Sequence, residues 1–237
     1  MNKRYIFILF FLLTLAVREN FAFPLPEGSV TSFSAMQDPS KDIQVLYNGR
    51  AWRNTYSGVK GDQFLFTRTS LPGSLNINGY KFENLNLNYD IYNDELLIPK
   101  NNGVIIQLNK EMVDSFSLVY ELRRYNFRNT DRDSIDGIKG FVNVLYSGKS
   151  SLFVKFRKEI QPLAVDDKYD LFFQTQKVYF LKKGEVYLLN GKRDLFKALK
   201  DYKSQLKAFM KKNGYKVSRK QPDSFIPVIR YYDTLSQ

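Results

Sequence analysis

Between residues 42 and 190 the apolar positions come in short runs, many of them alternating with polar ones; after residue 192 they recur every three or four. The first pattern places alternate side chains on opposite faces of a strand, and the second gathers them on one stripe of a helix. Asn84-Leu85-Asn86-Leu87-Asn88-Tyr89 is the clearest alternation: Leu85, Leu87 and Tyr89 share one face and the three asparagines the other. Just before it, Asn78-Gly79 separates the β-type runs 75–77 and 80–82. An Asn-Gly pair supplies the two positive φ angles of a type I′ turn, so the spacing predicts a hairpin. Asn102-Gly103, Ser147-Gly148 and Lys183-Gly184 repeat this punctuation between 96–98 and 104–108, 142–146 and 152–156, and 178–181 and 186–189. Further strands are expected over 43–47, 63–68 and 117–122. The whole reads as a mainly β (α+β) fold, an antiparallel meander forming a twisted or half-open barrel-like sheet, followed by C-terminal α-helices.

Leu195, Leu199, Tyr202, Leu206, Phe209 and Met210 form one helical stripe, with Asn213-Gly214 as its stop. The alternative is a break near Asp201 into two helices. A last helix is expected over 224–235, with Ser224 as N-cap, Pro227 in its first turn and Phe225, Val228, Ile229, Tyr232 and Leu235 buried. At the other end, Lys3 and Arg4 precede an apolar run over 5–17, followed by a mixed stretch containing Ala22. A positive start, an apolar run and a small residue is the pattern of a secretory signal peptide. The run is shorter than the ~20 apolar residues that span a bilayer. The expected organisation is a signal peptide over 1–22, an arm over 23–41, a β domain over 42–190 and a helical module over 191–237 packed on it. The chain is therefore expected to be exported, to the periplasm or cell surface, with no transmembrane span once the signal is removed.

Charge sharpens the picture. Of the net +12, residues 192–220 carry +9, from eleven basic and two acidic residues. The body is thus near neutral and the helical module strongly basic. Lys197, Lys200, Lys203, Lys207 and Lys211 lie beside the apolar stripe and are the candidate contact for an anionic partner, such as lipid headgroups or lipopolysaccharide phosphates. A solvated face is the ordinary use of such a run. Nucleic acid is not expected of an exported chain with no recognised binding motif.

Cys and His are both absent. This excludes a Cys nucleophile, a His-based triad and any Cys or His metal site, and leaves carboxylates, Lys, Tyr or Ser for catalysis. Asn93-Asp94-Glu95 and Asp166-Asp167 offer adjacent carboxylates, but a carboxylate hydrolase needs two at a defined separation in a cleft. Asp131-Arg132-Asp133-Ser134-Ile135-Asp136-Gly137 has the alternating oxygens of a calcium loop without its closing Glu, and reads as a polar turn. No metal or cofactor is expected. Asn84, Asn86 and Asn88 could bind a sugar or peptide from an exposed face, though a solvated face is the simpler reading. The 36 Tyr and Phe residues are mostly core material, and a concave aromatic face would suit an apolar ligand.

Two stretches carry a resemblance. Gly73 to Tyr80, continuing through Asn84 to Asp90 and Asp94 to Leu97, and then Tyr187 to Leu199 with Phe209 to Asn213 and Tyr231-Tyr232-Asp233, resemble a widespread group of uncharacterised exported β-rich proteins of Gram-negative bacteria. That resemblance implies export and a cell-envelope setting; it implies no activity and no catalytic residues. The expected function is non-catalytic binding or scaffolding, with a carrier or chaperone for a lipid or hydrophobic peptide as first rival and a carboxylate hydrolase as second.

Overall fold

The computed structural model describes residues 44–100, 102–133, 135–162 and 170–236. The expected signal peptide and arm, and the Asp166-Asp167 pair, lie outside the described residues. Eleven strands among those described form one sheet, every neighbour antiparallel, in the order β1-β5-β4-β3-β2-β6-β7-β8-β9-β10-β11. They are β1 (Gly49–Ala51), β2 (Leu71–Ile77), β3 (Tyr80–Asp90), β4 (Glu95–Pro99), β5 (Ile105–Leu108), β6 (Val113–Tyr120), β7 (Arg123–Asn129), β8 (Phe141–Ser147), β9 (Ser151–Gln161), β10 (Leu171–Lys182) and β11 (Glu185–Leu188). The helices α1 (Lys192–Ala198), α2 (Lys203–Asn213) and α3 (Ile226–Leu235) follow. The mainly β meander with C-terminal helices is what the patterning predicts.

The turn chemistry works locally. Asn78 and Gly79 both take positive φ between β2 and β3, and Lys183 and Gly184 do the same between β10 and β11. Gly214, at φ 68°, ends α2. Asn84 also turns to positive φ, and the β2–β3 register shifts opposite it. Beyond this bulge Leu87 and Tyr89 point into the core.

The sheet does not close strand to strand, but segment 59–65 spans its seam. Lys60 N–H donates to Asp170 O (2.7 Å) and Phe172 N–H to Lys60 O (3.1 Å), which ties the segment to β10. Leu65 N–H donates to Tyr89 O (2.9 Å) and Ile91 N–H to Gln63 O (3.0 Å), which ties it to the end of β3. Lys158 Nζ, from β9, reaches Asp62 O (2.8 Å), Asp62 Oδ1 (3.1 Å) and Phe64 O (2.6 Å). Edge-to-face contacts among Tyr56, Tyr92 and Phe172 pack beside the join.

Two expected strands are corrected. Residues 63–68 are not a strand, because Phe66 turns to φ 67° and Thr67 N–H donates to Leu65 O (2.9 Å), a three-residue turn that ends any alternation. Positions 44–46 form a helical turn instead of a strand. Val45, Leu46 and Tyr47 all reach the same core, which successive residues of a strand do not do.

The core has two main parts. Inside the curl, Leu75, Ile77, Leu87, Tyr89, Phe116, Phe127 and Phe141 fill the space between strands. On the same face of the sheet, at β9 and β10, Leu152, Val154, Val178 and Phe180 pack against Leu195, Leu199, Leu206, Phe225, Val228, Ile229 and Tyr232 from the helical region. Ile138 covers Val142 and Phe153 on the opposite face. The expected stripe of the last helix is thus buried at Phe225, Val228, Ile229 and Tyr232. Ser224 is not its N-cap: its hydroxyl donates to Gln221 O and accepts from Ser218 N–H within the 3₁₀ turn that leads into α3.

Candidate functional site

The basic region breaks, as the second of the two sequence readings has it. After α1 the chain makes a 3₁₀ turn (Lys200–Tyr202) and then starts α2. Lys182 Nζ, from β10, holds the break by donating to Ala198 O (3.2 Å) and Asp201 Oδ2 (3.2 Å). Tyr232 hydroxyl, from α3, donates to the same Asp201 oxygen (3.0 Å). Lys203, Lys207 and Lys211 therefore form one row on α2 at four-residue spacing, while Lys197 lies in the last turn of α1 and Lys200 in the 3₁₀ turn.

All five lysines are exposed, and none makes an ion pair among the described residues. The two acids of the region are already used. Asp201 is held by Lys182 and Tyr232; Asp194 accepts from Asn190 N–H (2.9 Å) and Asn190 Nδ2 (3.0 Å). Those Asn190 bonds hold the Asp194 carboxyl below its usual range. The Lys207 ammonium lies 5.9 Å from the centre of the Phe196 ring. This face carries uncompensated positive charge.

A second constellation is ionic and largely enclosed. Asp94 sits at φ 61° in the β3–β4 turn. Its Oδ1 accepts from Lys155 Nζ (2.7 Å) and from Tyr89 hydroxyl (2.5 Å), and its Oδ2 from Lys110 Nζ (2.6 Å). Lys155 Nζ also donates to Phe141 O (3.0 Å). Burial alone would raise the Asp94 carboxyl, but Lys155 and Lys110 overcome it and hold the group below its usual range. Burial pulls the Lys155 ammonium down despite Asp94 beside it. Tyr89 is pushed well up, first by burial and then by the Asp94 charge. Gly140 passes so close that a Cβ there would collide with Asp94 Oδ2 and lie 2.7 Å from Lys110 Nζ. Neighbouring Asp90 caps the same turn, accepting from Tyr92 N–H and Asn93 N–H (both 2.9 Å), while burial raises its carboxyl.

Lys110 also lines a polar cleft of about 630 Å³ at the β1–β5 side of the sheet, together with Asn48, Arg50, Gln107, Asp131 and Arg132. Its three cations are engaged: Arg50 with Glu95 (3.3 Å), Lys110 with Asp94, and Arg132 with Asp114 (2.9 Å). The cleft therefore offers hydrogen-bonding groups but little free charge.

The remaining candidates resolve as follows. Asp94 and Glu95 face different partners, two lysines and Arg50 respectively, and do not act as a pair. In the acidic turn, Asp131 lies 3.5 Å from Lys110 and Asp133 pairs with Arg128. No three carboxylates converge as a metal site among the described residues. Asn84 and Asn86 are exposed, but Asn88 is buried and donates to Arg68 O (3.0 Å), so the three do not form one exposed ladder. Asp233, on α3, accepts from Ser150 hydroxyl (2.7 Å), Ser150 N–H (3.0 Å) and Tyr146 hydroxyl (3.0 Å), which anchors the last helix to the β8–β9 turn. No protein-family model, curated protein or solved structure matches the chain.

Proposed function

We propose that this is an exported, non-catalytic protein of the cell envelope that binds a phosphate-bearing anionic surface through Lys197, Lys200, Lys203, Lys207 and Lys211. The observation that carries this reading is the contrast in charge pairing. Six cations of the body, Lys110, Arg123, Arg128, Arg132, Lys155 and Lys158, stand against carboxylates, whereas none of the five clustered lysines does among the described residues. Unpaired charge concentrated on one face raises the local potential and attracts a polyanion. The carrier reading is weaker because Tyr89, Phe116, Phe127 and Phe141 pack against one another where an apolar ligand would have to sit. The hydrolase reading is weaker because Asp94 is bound by two lysines.

The test is co-sedimentation with vesicles of phosphatidylcholine alone and vesicles in which a third of the lipid is phosphatidylglycerol. Each lysine near such a surface contributes about 1 kcal/mol. Replacing Lys203, Lys207 and Lys211 together by Gln should cost about 3 kcal/mol, on the order of a hundredfold in partition. Equal partition of wild type and the triple variant refutes the reading.

A further inference from the structure

β10 is twelve residues long, yet β11 covers only its last four, Tyr179 to Lys182. On the same edge, Leu189 N–H donates to Val178 O (2.8 Å), and at the far end Phe172 N–H donates to Lys60 O. Backbone groups alternate sides along a strand. Phe172, Val178 and Phe180 therefore turn their groups to this edge, and so do Gln174 and Gln176 between them. Thr175 faces β9, opposite Arg157. Among the described residues, no backbone partner meets Gln174 or Gln176 on the outer side. Among the described residues, 173–177 are thus a gap in an edge that is paired at both ends.

The gap opens on a groove of about 600 Å³. Its two sides differ. One carries Phe173, 52 % exposed, with Lys177 and Glu159 roughly offsetting each other in charge. The other carries Arg219 and Lys220; Gln176 Nε2 fixes this loop by donating to Arg219 O (2.8 Å). A strand laid into the gap would send alternate side chains to the two sides. A second copy of the chain is disfavoured as occupant, because antiparallel pairing of two such edges about Thr175 would bring both sets of Lys177, Arg219 and Lys220 together.

We infer that the open stretch of β10 is a strand-addition site for an extended acidic peptide, with apolar side chains against Phe173 and alternate carboxylates against Arg219 and Lys220. Main-chain bonds from Gln174 and Gln176 hold the peptide, and the charge on one side sets its preference. The site is separate from the lysine row of α2.

The probe is a fluorescein-labelled peptide of strictly alternating Val and Glu, with an alternating Val and Lys peptide as control. The Val/Glu peptide should bind and slow hydrogen exchange at the Gln174 and Gln176 amides, and the control should not. Gln174→Pro removes an outward N–H without touching the bonds to β9, a substitution that edge strands tolerate. It should weaken binding at least tenfold. Arg219→Glu with Lys220→Glu leaves the strand intact and should reverse the preference between the two peptides, whereas Lys203→Gln with Lys207→Gln should leave binding unchanged. The inference is overturned if neither peptide binds, if Gln174→Pro binds as well as wild type, or if the edge amides are protected by a concentration-dependent dimer instead.

Discussion

Asp94→Asn isolates the charge at the centre of the Asp94 cluster. The amide keeps the shape and one oxygen for Tyr89 and Lys155; what it removes is the negative charge facing two ammonium groups. Lys110 loses less, since its side chain is 32 % exposed and Asp131 stands 3.5 Å away. Lys155, 8 % exposed, keeps the neutral amide oxygen and the Phe141 carbonyl but loses its opposite charge. Removing one partner of a buried pair costs about 3–5 kcal/mol. An independent ceiling comes from letting Lys155 give up its proton at neutral pH: about 3.4 pH units below an unfolded lysine, or about 4.6 kcal/mol. The expected loss is therefore about 3 kcal/mol, at the lower end because Asp94 retains some solvent contact. The sign with pH is also fixed. A lysine whose folded pKa is depressed binds fewer protons folded than unfolded, so stability rises with pH from that folded pKa up to the unfolded value. The penalty of Asp94→Asn should shrink between neutral pH and about pH 10. Adding Lys155→Met should recover about 1 kcal/mol or more of it. Urea unfolding followed by fluorescence of the single tryptophan, Trp52, and by far-UV circular dichroism measures each value. A loss under about 1 kcal/mol, or a penalty that does not change with pH, refutes the account of Lys155 as a charge held by Asp94.

The other predictions concern the joins of the fold. Asp233→Ala strips three donors of their acceptor and should cost about 3 kcal/mol, against about 1 kcal/mol for Tyr146→Phe, both read from urea midpoints. Lys158→Met should raise hydrogen exchange over residues 60–65 while leaving β6 to β8 protected, because it cuts three of the bonds that hold the seam. In acid, the stability that Asp94 supplies is complete above the unfolded carboxylate value and is lost as pH falls through its lower folded value. Asp90, raised by burial, works in the opposite sense. The stability difference between wild type and Asp94→Asn should therefore narrow below about pH 4, measured by urea unfolding across a pH series.

The hairpins were legible because their information is local: Asn78-Gly79 and Lys183-Gly184 state their own turn geometry. The α2 stop at Gly214 was legible for the same reason. The strap over 59–65 was not, since its bonds come from β3, β9 and β10, and its apolar residues resemble a strand until Phe66 turns. β7 was passed over because Arg123, Arg124 and Arg128 mask the inward Tyr125 and Phe127. The Asp94 cluster unites residues far apart in the chain, and no spacing announces it. One signal was available: Lys155 interrupts the apolar run 152–156 of a strand packed on both faces, where a charge must have a partner. The lysine row was visible from periodicity alone. That its neighbouring acids are engaged elsewhere required the positions of Lys182, Asn190 and Tyr232.

Lysine acetylation read by mass spectrometry, with and without vesicles containing phosphatidylglycerol, tests the proposed binding face most directly. The account predicts that Lys203, Lys207 and Lys211 become protected in the presence of vesicles, with Lys197 and Lys200 following. Lys60, Lys81 and Lys139, exposed on the body, should react at an unchanged rate. Protection spread evenly over all exposed lysines, or confined to the body, would contradict it.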